Sequence, residues 1–254
     1  MGARLKTLAV VVLCLGIGAA AIAPASANWG ADPATREWPT WPYRTSCSYN
    51  QSFDPVAVFS QPAVAELGST PGEKALRRFL KDPLINWVPR HNYRLLREDV
   101  REAVFISSPL SSSPRQAPEV LTFTRRKGHW RWSGSGPCVP TSIIDGRPAI
   151  GWDLAYGKAP LDPKTTTIEV QLGPGECASG QSQNARAHPV FAEVEGKLLL
   201  TIWLSPPKGR GGQTCVGISE PPLKVKLPAP LGDRELFDGG SYPPHPALAA
   251  GRFY

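Results

Sequence analysis

Residues 227–240, LPAPLGDRELFDGG, end an apolar strand-like run, then set Gly232, Asp233 and Arg234, and after them Asp238, ahead of two glycines. Two carboxylates and a guanidinium meeting over a pair of turns would make a polar recognition patch. Local chemistry favours a different role. Turns select Asp because its carboxylate accepts nearby amides, and Gly because it tolerates left-handed backbone, while an Arg fork satisfies a carboxylate or free carbonyls. Asp233, Arg234 and Asp238 are therefore expected to fasten a strand exit and lock the end of a domain.

Working back from the lock, Leu223 to Leu227, Leu198 to Leu204, Val190 to Glu195 and Thr165 to Leu172 carry the β-branched and apolar character of strands, with Gly196-Lys197 as a hairpin turn. No helical period is present after residue 165. Residues 165–242 are thus expected to form an all-β, immunoglobulin-like sandwich domain. Residues 141–164 contain Pro148, Gly151, Gly157, Pro160 and Pro163, the composition of a connection, with Trp152 available to pin it. Residues 243–254 read as a C-terminal tail.

Further upstream, Thr70-Pro71-Gly72-Glu73 has the spacing of a capping box with Pro at the first helical position. Leu76, Phe79 and Leu80 then share one helical face, and Pro83 ends the helix. Strand patterns follow at Tyr93 to Arg97, Ala103 to Ser107, Val120 to Thr124 and His129 to Ser133, the last two joined through Lys127-Gly128. Alternation in HWRWSG puts Trp130 and Trp132 on one face, expected to cover the helix. Residues 46–140 read as a small α+β domain, an antiparallel sheet with one main helix. Residues 28–45, with Trp29, Trp38, Trp41 and Tyr43, have no period and read as an arm. Its indoles must pack on the next domain or meet a ligand, because bare indoles in water promote association.

The chain opens with Arg4 and Lys6, an apolar run from Leu8 to Ala23, and Ala25-Ser26-Ala27. That is the layout of a secretory signal peptide over residues 1–27; the run falls short of the roughly 20 apolar residues of a membrane span. Cys14 follows Leu13, where a lipid-attachment motif wants Gly or Ala. Export leaves Cys47, Cys138, Cys177 and Cys215, an even set in an oxidising compartment, expected as two disulfides. Three pairings are open; the segment boundaries favour 47 with 138 and 177 with 215. Loops of these lengths are worth about 3 to 4 kcal/mol each in the chain-entropy account.

The formal charge is +7, about +5 once the leader is removed. The basic residues are scattered, which argues against nucleic acid as a partner and suits attraction to an anionic cell wall or membrane surface. The densest run is Arg125-Arg126-Lys127.

Three stretches, ECASGQ, GGQTCVG and PPLKVKLPAPLGDRELFDGG, resemble a family of uncharacterised secreted proteins of actinomycetes, over roughly residues 165–242. GHWRWSGSGPC and VPRHNYRLL look like the partner domain of such proteins. The resemblance implies an exported two-domain architecture and brings no activity, substrate or cofactor.

His91, His129, His188 and His245 lack the spacing of a metal-binding helix. Gly134-Ser135-Gly136 lacks the strand-to-helix context of a nucleophile elbow, and KGRGG lacks the Lys-Ser/Thr ending of a phosphate loop. Glu193 and Glu195, on one strand, cannot face each other across a glycosidase cleft. No cofactor or metal is expected. The sequence points to a secreted or envelope-associated, non-catalytic protein that binds a wall polymer or another secreted protein, with no membrane span after leader cleavage. Its expected contacts are Trp38, Trp41, Tyr43, Arg125, Arg126 and Lys127, through stacking and charge. The alternative is a secreted hydrolase whose acid and base assemble at the interdomain cleft.

Overall fold

The computed structural model describes residues 37–47, 52–107, 118–158, 160–173, 179–206 and 220–247. The leader, Trp29, Cys177 and Cys215 lie outside these. The protein is largely β, and the described residues hold two α-helices, α1 (Pro55–Phe59) and α2 (Pro71–Lys81). No helix among them is long and apolar enough to cross a membrane.

Strands β3 (Tyr93–Glu98), β4 (Glu102–Ser107), β5 (Glu119–Arg126) and β6 (His129–Pro137) form an antiparallel meander in chain order. Helix α2 starts where the capping box predicts. Thr70 Oγ1 accepts from the Glu73 amide at 3.2 Å, and the Thr70 amide donates to Glu73 Oε2 at 2.9 Å. Glu98 of β3 ties this end to the sheet by accepting from Gly72 N at 2.9 Å and Thr70 Oγ1 at 2.5 Å. Ala75, Leu76 and Leu80 then bury against Tyr93, Ala103, Phe105, Leu121 and Phe123. Alternation does the sorting: the odd positions of β4 and β5 face the helix, so Val104, Ile106, Val120 and Thr122 face the other way.

The remaining strands build two further sheets. β9 (Trp152–Leu154), β10 (Thr167–Leu172) and β13 (Leu223–Lys226) make a three-stranded sheet. The eight-stranded one comprises β1 (Arg44–Ser46), β2 (Ser52–Phe53), β7 (Thr141–Ile144), β8 (Arg147–Ile150), β11 (Ala187–Val194), β12 (Lys197–Leu204), β14 (Leu236–Asp238) and β15 (His245–Pro246). β12 is central and, Lys197 and Thr201 apart, apolar, because both its faces are covered. Leu198, Leu200 and Ile202 pack against Trp152, Ile168, Val170 and Val225 of the small sheet. Leu199 turns to a second core with Trp38, Phe59, Phe237 and Tyr242.

Four expectations change here. Residues 141–164, expected as a connection, carry β7, β8 and β9, with the β7–β8 hairpin turning at Asp145 (φ 50°) and Gly146 (φ 75°). Asp-Gly is a preferred two-residue hairpin turn, and it outweighs the Pro148 signal. The arm ends in β1, hydrogen-bonded between β7 and β2. Trp38 is an interior residue, 1% exposed, so the arm packs its indole rather than offering it. Within the lock and the tail, β14 runs parallel to β12 and pairs with β15. Cys47 and Cys138 form a disulfide, Cα to Cα 5.0 Å, that joins the exit of β1 to the exit of β6. The expected Cys177–Cys215 bridge lies outside the described residues.

Candidate functional site

The lock resolves into separate parts. Asp238 is buried at the end of β14, where Oδ2 accepts from Trp152 N at 3.0 Å and Oδ1 from Gly240 N at 2.8 Å. Burial pushes its carboxyl up to about 7, against the pull of those two amides, and the charge of Asp153 adds to the rise. At Gly240 an added Cβ would stand 3.0 Å from Asp238 Oδ1 and 3.1 Å from Ile150 O, so any side chain there would press on the carboxylate and the β8 backbone. Arg234 donates to Leu231 O at 2.9 Å and Pro230 O at 2.7 Å, and Asp233 is exposed. Arg234 thus holds backbone carbonyls at the strand exit while Asp238 joins β14 to β9; the three side chains do not form one patch.

The arm aromatics are also spoken for. Trp38 meets Phe237 edge-on at 4.9 Å, and half-buried Trp41 meets Trp38, Tyr43 and Tyr242 at 6.1, 6.0 and 5.3 Å. Arg125, Arg126 and Lys127 are exposed at the β5–β6 turn, with Arg125 paired across the hairpin to Trp130.

Exposed aromatic surface lies elsewhere, on the flank of α2. Phe79 stacks on Trp132 of β6 at 5.7 Å and meets Trp87 at 6.2 Å, and the two indoles are 5.7 Å apart. Trp87 is 50% and Trp132 44% exposed. Phe79 is anchored from below by Phe123 at 5.5 Å. The two indoles are therefore held by a half-buried ring that packs on the core, while about half their surface stays in water. Trp132 was visible in the HWRW alternation; Trp87 sits in the loop after α2, where no periodicity marks it.

On the other flank of α2, Leu67, Leu80, Arg77, Lys81, Arg90 and His91 line a hollow of about 550 Å³ with Glu66 and Asn92. The buried Glu66 carboxylate is taken up by Asn92 N (3.0 Å) and Tyr93 N (3.2 Å). Arg77 donates to the carbonyls of Glu66 and Gly68, and Arg90 to those of Leu80 and Asp82, as cations do near helix C-termini. None of the four basic groups has a carboxylate partner among the described residues. The hollow is accordingly electropositive with an apolar floor.

One contact has the geometry of a nucleophile and its base: His188 Nε2 lies 2.6 Å from Ser205 Oγ. His188 is stacked on Trp203 at 3.9 Å, and Arg147 covers that indole at 4.3 Å. A triad needs a third group orienting the imidazole and donors for the oxyanion; the ring is oriented by stacking instead, on an exposed sheet face. Among the described residues no three His, Cys, Asp or Glu side chains gather to hold a metal ion. Comparison with protein-family models, with curated proteins and with solved structures finds no match for this chain.

Proposed function

We propose that this is a secreted or cell-envelope-associated, non-catalytic protein that holds an anionic wall polymer on the surface around the C-terminal half of α2. The observation that carries the reading is the pair Trp87 and Trp132, half exposed yet held against Phe79. Rigid indoles provide large contact area at low entropic cost, and a sugar ring presents the apolar face they stack on. The unpaired cations of the hollow supply attraction to the polymer's negative charge. The Cys47–Cys138 disulfide and the leader-like first 27 residues suit an oxidising compartment. In this reading the contacts expected of Trp38, Trp41 and Tyr43 pass to Trp87 and Trp132, and Arg125 to Lys127 remain as outlying charges.

The test is retention of purified protein on isolated cell-wall material. Trp87→Ala with Trp132→Ala is expected to cut retention at least tenfold with little change in fold, and rising salt is expected to weaken wild-type retention. Retention unchanged in the double variant would reject this surface. A vesicle-only or protein-only pull-down would instead assign it to a membrane or a secreted partner.

A further inference from the structure

A second site, independent of the α2 surface, lies on the opposite face of the four-stranded sheet. On that face Val120 and Thr122 of β5 pair across β6 with Gly136 and Gly134. Glycine weakens a strand interior, and where it occurs it marks a bulge, a bend, or close approach of a ligand or another backbone. The bulge of β6 sits between Trp132 and Gly134, and neither glycine has a positive φ. A Cβ at either position would meet no described atom within 4 Å. Gly72 shows the contrast, since there a Cβ would run into Ala103 and Glu98. Neither backbone conformation nor crowding within the protein accounts for glycine at 134 and 136. Space does.

Gly136, with Val120 and Thr122 of β5, lines a cleft of about 740 Å³ between the sheet and the β2–α1 segment, within the size range of small-ligand sites. Gly134 lies just beyond that lining, paired with Thr122. Its floor is apolar, with Phe53, Val58, Leu96, Val104 and Val120. Three charged side chains stand among its lining. Asp54 is turned to the α1 amides, accepting from Ala57 N at 3.1 Å, and Arg97 is ion-paired with Glu102. Among the described residues Arg44 bonds to Ser52, through Nη2 to its carbonyl at 2.6 Å and Nε to its hydroxyl at 3.1 Å. Its charge has no carboxylate partner among the described residues. Arg44 is thus an exposed cation without an ion pair among those residues, at the edge of an apolar floor, and the Asp54 carboxylate faces the start of α1 instead. That arrangement suits a ligand with one anionic head and an apolar body.

We propose that this cleft binds an amphiphile of the long-chain carboxylate class, its head on Arg44 and its chain over Val104 and Val120, beside Gly136 and running toward Gly134. Dodecanoate titrated calorimetrically below its micelle concentration is the probe, with dodecan-1-ol as the neutral-head control. Wild type is expected to bind dodecanoate at least tenfold more tightly than the alcohol, and Arg44→Gln to erase that preference. Gly134→Val with Gly136→Val is expected to weaken dodecanoate at least tenfold while the melting temperature holds or rises, since valine suits a strand better than glycine. Wall retention of these variants is expected to match wild type, which separates failure here from failure of the α2 surface. The proposal is overturned if wild type does not bind dodecanoate, if the double valine variant binds it as well as wild type does, or if that variant melts lower.

Discussion

Asp238 carries a testable electrostatic signature. Its carboxyl is raised by burial to about 7 from an ordinary 3.8, so the folded state holds the proton more tightly than the unfolded chain does. The contribution is fully present below the unfolded value of 3.8 and is lost as pH rises through the folded value near 7. A shift of this size corresponds to a few kcal/mol, at about 1.4 kcal/mol per pH unit. Stability from this residue is therefore expected to fall between about pH 4 and 7. In Asp238→Asn the fall should vanish, along with one of the two amide bonds, because the new NH₂ faces a donor. Melting curves across that range check it; parallel pH profiles for wild type and variant would show that Asp238 is not the titrating group. Trp38→Ala, in contrast to the exposed indoles, is expected to cost about 3 to 5 kcal/mol as a core truncation.

Among the elements, α2 was legible from a short stretch because its start is local chemistry: Thr70, Pro71 and Glu73 interact within one turn. Thr70→Ala is expected to cost about 1 kcal/mol for the lost cap, and more if the bond to Glu98 goes with it; denaturant unfolding measures this. The strands of the β3–β6 meander and the β11–β12 hairpin were legible for the same reason, through alternation and, between β5 and β6, the Lys127-Gly128 turn. The β11–β12 turn lies at Glu195-Gly196, one residue before the expected Gly196-Lys197. What was not legible depends on partners far along the chain. β14 is three residues long, too short to carry a pattern, and is a strand because β12 lies beside it. β7 and β8 were hidden by Pro and Gly read as punctuation, although Asp145-Gly146 signals a hairpin. The candidate site divides likewise: Trp132 could be placed on a strand face, whereas nothing in the sequence pattern decides that Trp38 packs inward and Trp87 outward.

At the scale of the whole molecule, the Cys47–Cys138 crosslink spans 91 residues and ties the four-stranded sheet to the eight-stranded one. In the chain-entropy account a loop of that length is worth about 4 to 5 kcal/mol, above the roughly 3 to 4 kcal/mol expected from the sequence. Reduction is expected to lower the melting temperature by well over 5 °C, and an unchanged value would deny the bridge a stabilising part. The fold leaves two faces of the helix-bearing unit with distinct characters, an aromatic and basic flank around α2 and an apolar cleft behind the sheet. Binding on the first is expected to be salt-sensitive, and on the second to depend on the length of an apolar chain. Acrylamide quenching of tryptophan fluorescence, with and without soluble anionic wall polymer, tests directly whether polymer sits on the exposed indoles beside α2. Polymer is expected to shield Trp87 and Trp132, so quenching drops in wild type and the drop is lost in Trp87→Phe with Trp132→Phe. Quenching that is unaffected by saturating polymer, or a drop that persists in the double variant, would contradict it.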